Sequence, residues 1–156
     1  MEEREMFRIL PSTLGVLCLG LFLAASAQAE GYPYEKGQKA VYQVNEIDRA
    51  GAALRNIANH INATGSPMEG RADIAVVTHS SGVFMLLEGA TDRKGRAYEP
   101  RIQDLMSKGV EFLQCQNTLD GHGLKKSDLV DGVKIVPSGV AELAKKQANG
   151  YAFIKP

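Results

Sequence analysis

One short apolar run constrains the fold more than any other feature of the sequence. The segment Asp73-Ile74-Ala75-Val76-Val77-Thr78 is continuously apolar between its polar ends, which is typical of a parallel strand buried on both faces. Segments of similar strand character occupy residues 39–44, 110–114, 133–136 and 151–154. The sequence therefore predicts five short strands.

Helical patterns separate these strands. Apolar residues recur at three- and four-residue spacing between Asp48, a candidate N-cap, and Gly65, and again over residues 83–90. Further helices are predicted from Pro100 to Gly109, from about Ser127, and after Ser138, which is a suitable N-cap. Strands that alternate with helices require crossover connections, which favours a mainly parallel sheet with helices on both faces. We therefore expect a three-layer α/β/α sandwich around a five-stranded sheet.

Chain length and net charge limit the domain organisation and the classes of partner. A chain of 156 residues with no repeat or linker predicts a single α/β domain, here residues 39–156, after a polar arm at residues 30–38. Eighteen basic side chains balance eighteen acidic ones. Because this balance removes the long-range attraction to polyanions, and no basic run is interleaved with aromatic residues, we exclude nucleic acid as a partner.

The first 29 residues are typical of a cleavable signal peptide. The nearly apolar stretch 9–25 precedes Ala27-Gln28-Ala29, which places small residues where a signal peptidase needs them. We expect cleavage after Ala29, a periplasmic product and no stable membrane insertion afterwards. The alternative, a membrane anchor, requires about 20 apolar residues, and this stretch is shorter. The acidic residues before the apolar stretch are unusual for an export signal, and a start at Met6 rather than Met1 removes them.

Polar residues follow the predicted strands. Chemistry in parallel sheets gathers beyond the carboxyl ends of the strands, and the candidate substrate-binding and catalytic residues at those ends are Asn45, His79, Ser80, Cys115, Asn117, Thr118 and Ser138. Cleavage after Ala29 removes Cys18 and leaves Cys115 as the one cysteine. This thiol is either buried and inert, paired with another molecule, or reactive.

Three segments, taken in order, resemble the DsrE/DsrF-like (YchN-like) family over roughly residues 39–156. They are Val76-Val77-Thr78-His79-Ser80-Ser81-Gly82-Val83 with Leu86-Leu87-Glu88-Gly89-Ala90, then Lys108-Gly109-Val110-Glu111-Phe112 running into Cys115-Gln116-Asn117-Thr118-Leu119, and Val136-Pro137-Ser138-Gly139-Val140-Ala141-Glu142 with Gly150-Tyr151-Ala152. Ser80 stands where many relatives have glycine. The resemblance implies a flavodoxin-like fold, a homo-oligomer such as a trimer or hexamer, and a cysteine that carries sulfur as a persulfide. Cys115 matches that cysteine.

Two hypotheses follow. In the first, the protein is a periplasmic sulfur carrier or sulfurtransferase in which Cys115 is the nucleophile, Asn117 and Thr118 stabilise its thiolate, and His79 assists. Its partners are small sulfur species or a thiol protein, and it needs no cofactor. In the second, it is a non-catalytic oligomeric binding or scaffold module in which Cys115 is structural.

Other site types lack their motifs. His79 stands beside two serines, but no Gly-x-Ser-x-Gly elbow is present to position a hydrolase nucleophile. The glycine-rich phosphate loop and the dinucleotide fingerprint are absent. The spacing of the candidate zinc ligands matches no known zinc-site pattern; these residues are His60, His79, His122 and Cys115. The sequence therefore predicts neither a metal nor a nucleotide cofactor.

Overall fold

A computed structural model describes Tyr34 and residues 36–156. The predicted signal peptide and most of the predicted arm lie outside these residues. The strands are β1 (Gln38–Val44), β2 (Ala72–Thr78), β3 (Glu111–Cys115), β4 (Lys134–Val136) and β5 (Ala152–Ile154). The α-helices are α1 (Ile47–Thr64), α2 (Glu99–Ser107), α3 (Gln116–His122) and α4 (Gly139–Ala148). No helix in this part of the chain is long and apolar enough to cross a bilayer.

The strands form one parallel sheet in the order β4-β3-β2-β1-β5. The chain builds outward from β1 to β4 and then returns across the whole sheet to place β5 beside β1. Parallel crossover connections are right-handed. The connection from β4 to β5 runs across the sheet in the opposite direction from the earlier ones, so its helix, α4, lies on the opposite face from α1 and α2. The predicted five-stranded parallel α/β fold is confirmed.

The two faces of the sheet carry unequal cores. The larger core packs α1, α2 and α3 against one face through side chains such as Leu54, Ile102 and Phe112. The smaller core lies under α4 and consists of Val41, Ala75, Val77, Leu113, Val136 and Leu143. Alternate residues of each strand supply the two cores, as the pleat of a sheet requires. Cys115, two residues after Leu113 on β3, therefore faces α4.

The segment after β2 differs from its predicted structure. In place of a helix over residues 83–90, the chain forms a 3-10 helix at Ser80–Leu86. It then leaves helical geometry at Leu87, which pairs with Leu129. The Glu88 and Val130 amides donate to the Asp128 and Leu86 carbonyls at 3.1 and 2.8 Å. These pairings satisfy backbone groups that a longer helix would have used, so the helical spacing of the apolar residues did not determine the backbone.

Two smaller predictions were also wrong, and one helix was missed. Asp48 lies in the first turn of α1, and Glu46 is the N-cap without a side-chain capping bond. The helix predicted from about Ser127 is a three-residue 3-10 turn, Lys126–Asp128. The helix α3 was not predicted at all. It begins immediately after Cys115 and therefore changes the surroundings of the thiol.

Candidate functional site

The candidate site is built around Cys115, the last residue of β3. Its side chain is 6% exposed. The donors that act on its sulfur are the amide of Gly139, the hydroxyl and amide of Thr118, and the amide of Asn117, and each of them stabilises the ionised form. Two of these residues are in the first turn of α3, and Gly139 opens α4. Backbone amides in a first helical turn lack helical acceptors and are free to donate to the sulfur.

These contacts decide the charge state of the thiol. Burial raises the pKa of Cys115, while the Gly139, Thr118 and Asn117 hydrogen bonds lower it. The hydrogen bonds dominate, and the pKa lies below its ordinary value. Because the thiolate is the nucleophilic form of cysteine, the site favours the reactive species at a residue that is nearly closed to solvent.

Gly139 allows α4 to approach the thiol. A β-carbon at this position would lie 3.2 Å from the Cys115 Cβ, 3.3 Å from the His79 Cβ and 3.4 Å from the Val77 Cγ1. These distances are at or below the tight end of ordinary carbon contacts, so a side chain here would push α4 away from β3. Gly139 therefore brings its own amide to the sulfur and lies against the β-carbons of both His79 and Cys115.

Ser80 connects the β2 loop to the thiol site. Its amide donates to Thr118 Oγ1 at 3.1 Å, which leaves the Thr118 hydroxyl proton for the cysteine sulfur. Ser80 has a φ of 49°, and it is the one non-glycine residue with positive φ in the described part of the chain. Such a left-handed conformation costs a non-glycine residue energy and is found preferentially at functional sites.

His79 is held in one orientation. Its Nε2 lies 2.8 Å from Gln43 Nε2, and its Nδ1 lies 3.0 Å from Ser80 Oγ. Because an amide nitrogen only donates, Nε2 is the accepting nitrogen and Nδ1 carries the proton. Burial and, secondarily, the positive charge of Lys155 lower the pKa of His79. The ring is therefore neutral at neutral pH.

The remaining candidates make structural contacts at the same edge of the sheet. The Asn45 carbonyl accepts from Ser81 Oγ at 3.3 Å, and Ser81 Oγ accepts from the Ile47 amide at 3.2 Å. Ser138 caps α4, with its Oγ accepting from the Ala141 amide at 3.4 Å. The carboxyl edge thus brings the candidates together, while substrate binding by Asn45 and Ser138 stays a prediction.

Two buried polar residues behind the thiol were not foreseen from the sequence. Thr78 and Gln114 are fully buried, and the Thr78 hydroxyl donates to Gln114 Oε1 at 2.6 Å. Gln114 Nε2 then donates to the Cys115 carbonyl at 2.8 Å. Buried polar groups keep a conformation when they are fully paired, so this pair fixes the backbone at Cys115. A glutamine within an otherwise apolar strand was the available signal.

The other two histidines lie elsewhere. His60 Nδ1 is 2.9 Å from the Tyr42 hydroxyl, so it belongs to a half-buried polar contact between α1 and β1. His122 ends α3, where its ring makes an edge contact with Phe84 at a centroid distance of 5.0 Å. Among the described residues, no three His, Cys, Asp or Glu side chains are grouped to hold a metal.

A change at Thr118 should alter the reactivity of the thiol. Thr118→Val removes a donor to the thiolate, and a hydrogen bond to a charged group contributes about 1.5–3 kcal/mol. We expect the pKa of Cys115 to rise and iodoacetamide alkylation near pH 7 to slow by about tenfold. The measurement is the alkylation rate of the folded protein against pH. Thr118→Ser, which keeps the hydroxyl, should behave as the wild type, and equal profiles for Val and Ser would contradict this role.

Comparison with known proteins identifies the family. The sequence model of the DsrE/DsrF-like family matches residues 38–156. No curated protein sequence matches this chain significantly.

Solved structures share the fold. A protein of unknown function, MTH1491 from Methanobacterium thermoautotrophicum, is 28% identical with a TM-score of 0.63, and the match covers 78% of this chain and 100% of that one. The ychN protein from E. coli is 23% identical with a TM-score of 0.61, covering 76% and 99% of the two chains. BT1422 from Bacteroides thetaiotaomicron, also of unknown function, is 14% identical with a TM-score of 0.56, covering 76% and 95%.

Proposed function

The chain belongs to the DsrE/DsrF-like family, and we propose that it is an exported sulfur-handling protein that carries a sulfane sulfur on Cys115. The family is of the sulfur-relay type. The observation that carries the proposal is the group of donors around the buried sulfur, from Gly139, Thr118 and Asn117, which lower the pKa of Cys115. A structural cysteine needs no stabilised thiolate, whereas a nucleophile does.

The proposed reaction transfers one sulfur atom twice, first from a donor persulfide to Cys115 and then from Cys115 to an acceptor thiol. The Cys115 thiolate attacks the outer, sulfane sulfur of a donor persulfide, a sulfur–sulfur bond forms to Cys115, and the donor leaves as its thiolate. An acceptor thiolate then attacks the outer sulfur of the Cys115 persulfide and releases the Cys115 thiolate. Each step breaks one sulfur–sulfur bond and forms one, so neither an external oxidant nor a cofactor is needed.

The surrounding residues have separate roles in this proposal. The amides of Asn117, Thr118 and Gly139 stabilise the negative charge of the Cys115 thiolate, both before it attacks the donor and when the acceptor releases it. His79, neutral and held by Gln43 and Ser80, assists the second exchange by accepting the proton of the acceptor thiol at Nε2 once the Gln43 amide moves aside. Asn45 and Ser138 contribute polar groups at the mouth of the site.

The function is tested by following one sulfur atom. The full chain is treated with a small-molecule persulfide, separated from it, and then mixed with an acceptor thiol. Intact-mass spectrometry should show the protein gaining the mass of one sulfur atom and losing it to the acceptor. A native protein that takes up no sulfur, with a thiol that reacts only after denaturation, would favour the structural cysteine instead.

The proposal includes export, which rests on the sequence of residues 1–29. We expect the chain isolated from the periplasm of the producing bacterium to begin at Glu30, because Ala27-Gln28-Ala29 supplies the small residues of a cleavage site. N-terminal sequencing of the periplasmic fraction tests this. Retention of the apolar stretch 9–25 in that chain would contradict it.

The proposal includes assembly with further copies of the same chain, as a trimer or hexamer. Two exposed apolar side chains on the α4 side of the molecule support assembly, Val140 at 66% and Phe153 at 44% exposure. The short edge strands support it as well, because a neighbouring copy can cover their unpaired backbone groups. Multi-angle light scattering should give a mass of three or six protomers. A monomer at every concentration would contradict assembly.

A further inference from the structure

A second polar pocket lies away from Cys115. It has a volume of about 230 Å³ and is enclosed by the first half of α1 and the turn Thr91–Ala97. The helix α1 packs on the face of the sheet opposite to α4, whereas Cys115 faces α4. The pocket is therefore separate from the thiol site.

Positive charge dominates this pocket. Arg55, Arg93, Lys94 and Arg96 contribute to its lining, against the carboxylates of Asp48 and Asp92. Both carboxylates are already paired: Asp48 with Arg93 and Asp92 with Arg96, each at 2.6 Å. Within the described residues, Arg55 and Lys94 form no ion pair.

Arg101 adds a further guanidinium beside the pocket. Its Nη2 donates to the carbonyl of Gly51, a lining residue, at 3.0 Å. Its Nη1 is buried without a hydrogen-bond partner. Asp104, on the adjoining surface that Arg55 and Arg101 share, pairs with Lys108 at 2.8 Å. Burial and then the charges of Arg96 and Arg55 lower the pKa of Arg101, so the repulsion among these cations is not fully relieved within the protein. A buried donor that lacks an acceptor is unfavourable and needs an explanation.

Gly51 keeps the floor of the pocket open. It lies in the interior of α1, where glycine is less favourable than alanine. Packing does not require it, because a β-carbon there would contact only Arg55 Nη1, at an ordinary 3.9 Å. The absent side chain leaves the space between Arg55 and the Gly51 carbonyl accessible to a ligand.

We propose that this pocket binds a small multivalent oxyanion of the phosphate, sulfate or thiosulfate type, held by the Arg55 guanidinium and the Lys94 ammonium group, with the charge of Arg101 behind the lining. A planar guanidinium binds two oxygens of such an anion at once. The anion would offset the repulsion among the arginines. This inference is independent of sulfur transfer at Cys115.

The test is anion binding to the full chain by isothermal titration calorimetry. Sodium phosphate, sulfate and thiosulfate are compared with sodium chloride at constant ionic strength, which removes general salt effects. We expect saturable binding of at least one of the three anions and none of chloride, together with a saturable rise in unfolding temperature. The three arms show which anion the pocket prefers. Responses to all three that match chloride would overturn the proposal.

Variants localise the binding. Arg55→Gln removes an exposed cation that forms no ion pair among the described residues, and it should weaken binding by about tenfold or more. Arg49→Gln is the matched control, because Arg49 is an exposed α1 cation outside the pocket, and it should bind as the wild type. Gly51→Leu fills the floor and should also lose binding while Cys115 alkylation is unchanged. Equal binding by the Arg55 and Arg49 variants would overturn the assignment.

Discussion

Replacing Cys115 with serine is expected to abolish the sulfur adduct completely while the protein stays folded. Serine removes the sulfur nucleophile, and a hydroxyl has no appreciable anionic form at neutral pH. The serine oxygen accepts hydrogen bonds from the same Gly139, Thr118 and Asn117 donors, so no buried polar group is left unpaired. Intact-mass spectrometry after persulfide treatment measures the adduct, and circular dichroism measures the fold.

Cys18→Ser is the matched control in the full chain. Cys18 lies in the predicted signal peptide and outside the described residues, so its replacement should leave the adduct at the wild-type level. An adduct that persists in Cys115→Ser and disappears in Cys18→Ser would contradict the assignment of the carrier.

The same substitution changes how stability depends on pH. A thiol whose pKa is lower in the folded than in the unfolded protein stabilises the fold when it is ionised, above the unfolded value of about 8.5. This contribution is lost as pH falls through the lowered folded value. The stability of the wild type relative to Cys115→Ser should therefore increase with pH between those two values. The measurement is urea unfolding across that range.

Gly82→Ala is expected to destabilise the protein by about 3 kcal/mol or more. A β-carbon at this position would lie 2.0 Å from the Val44 carbonyl oxygen and 2.7 Å from its carbon. Both atoms belong to the backbone of β1, whose pairing with β2 and β5 restricts its movement. The 3-10 helix at Ser80–Leu86 must shift instead, which also disturbs the His79 amide bond to Val44 at 3.3 Å and the Ser80 contact with Thr118.

Urea unfolding measures this effect directly. Gly121→Ala is a suitable control, because Gly121 lies in α3 and a β-carbon there would meet nothing within 4 Å. Helix propensity should leave that variant at or slightly above wild-type stability. Similar unfolding midpoints for the two variants would show that the loop adapts and that the close approach is not required.

The sheet could be predicted because each strand carries a local signal. Residues 74–77 are apolar throughout, so the sequence alone indicates burial on both faces, and the alternation of strands with helices favours parallel pairing. The carboxyl edge follows from that topology, which is why Cys115, His79 and Thr118 could be nominated together. The strand order and the placement of α4 alone on one face depend on contacts between distant segments and have no local signature.

The immediate surroundings of the thiol could not be predicted for a similar reason. Helix α3 has seven residues and includes Asn117, Thr118 and Gly121, which are weak helix formers. Its formation depends on where β3 ends rather than on propensity. The role of Gly139 depends on α4 approaching β3 from a segment 24 residues later in the chain. Gln43 reaches His79 across β1 and β2, and a single polar residue in a strand does not reveal its partner.

The alkylation rate of native Cys115 as a function of pH tests the central claim most directly. Iodoacetamide is added to the folded full chain and, separately, to the chain unfolded in urea, and modification at Cys115 is followed by peptide mass spectrometry. The account predicts that the folded thiol reacts near neutral pH and that its rate titrates with a midpoint below that of the unfolded thiol, about 8.5. A folded Cys115 that stays unmodified until the protein is denatured, or that titrates above the unfolded thiol, would contradict it.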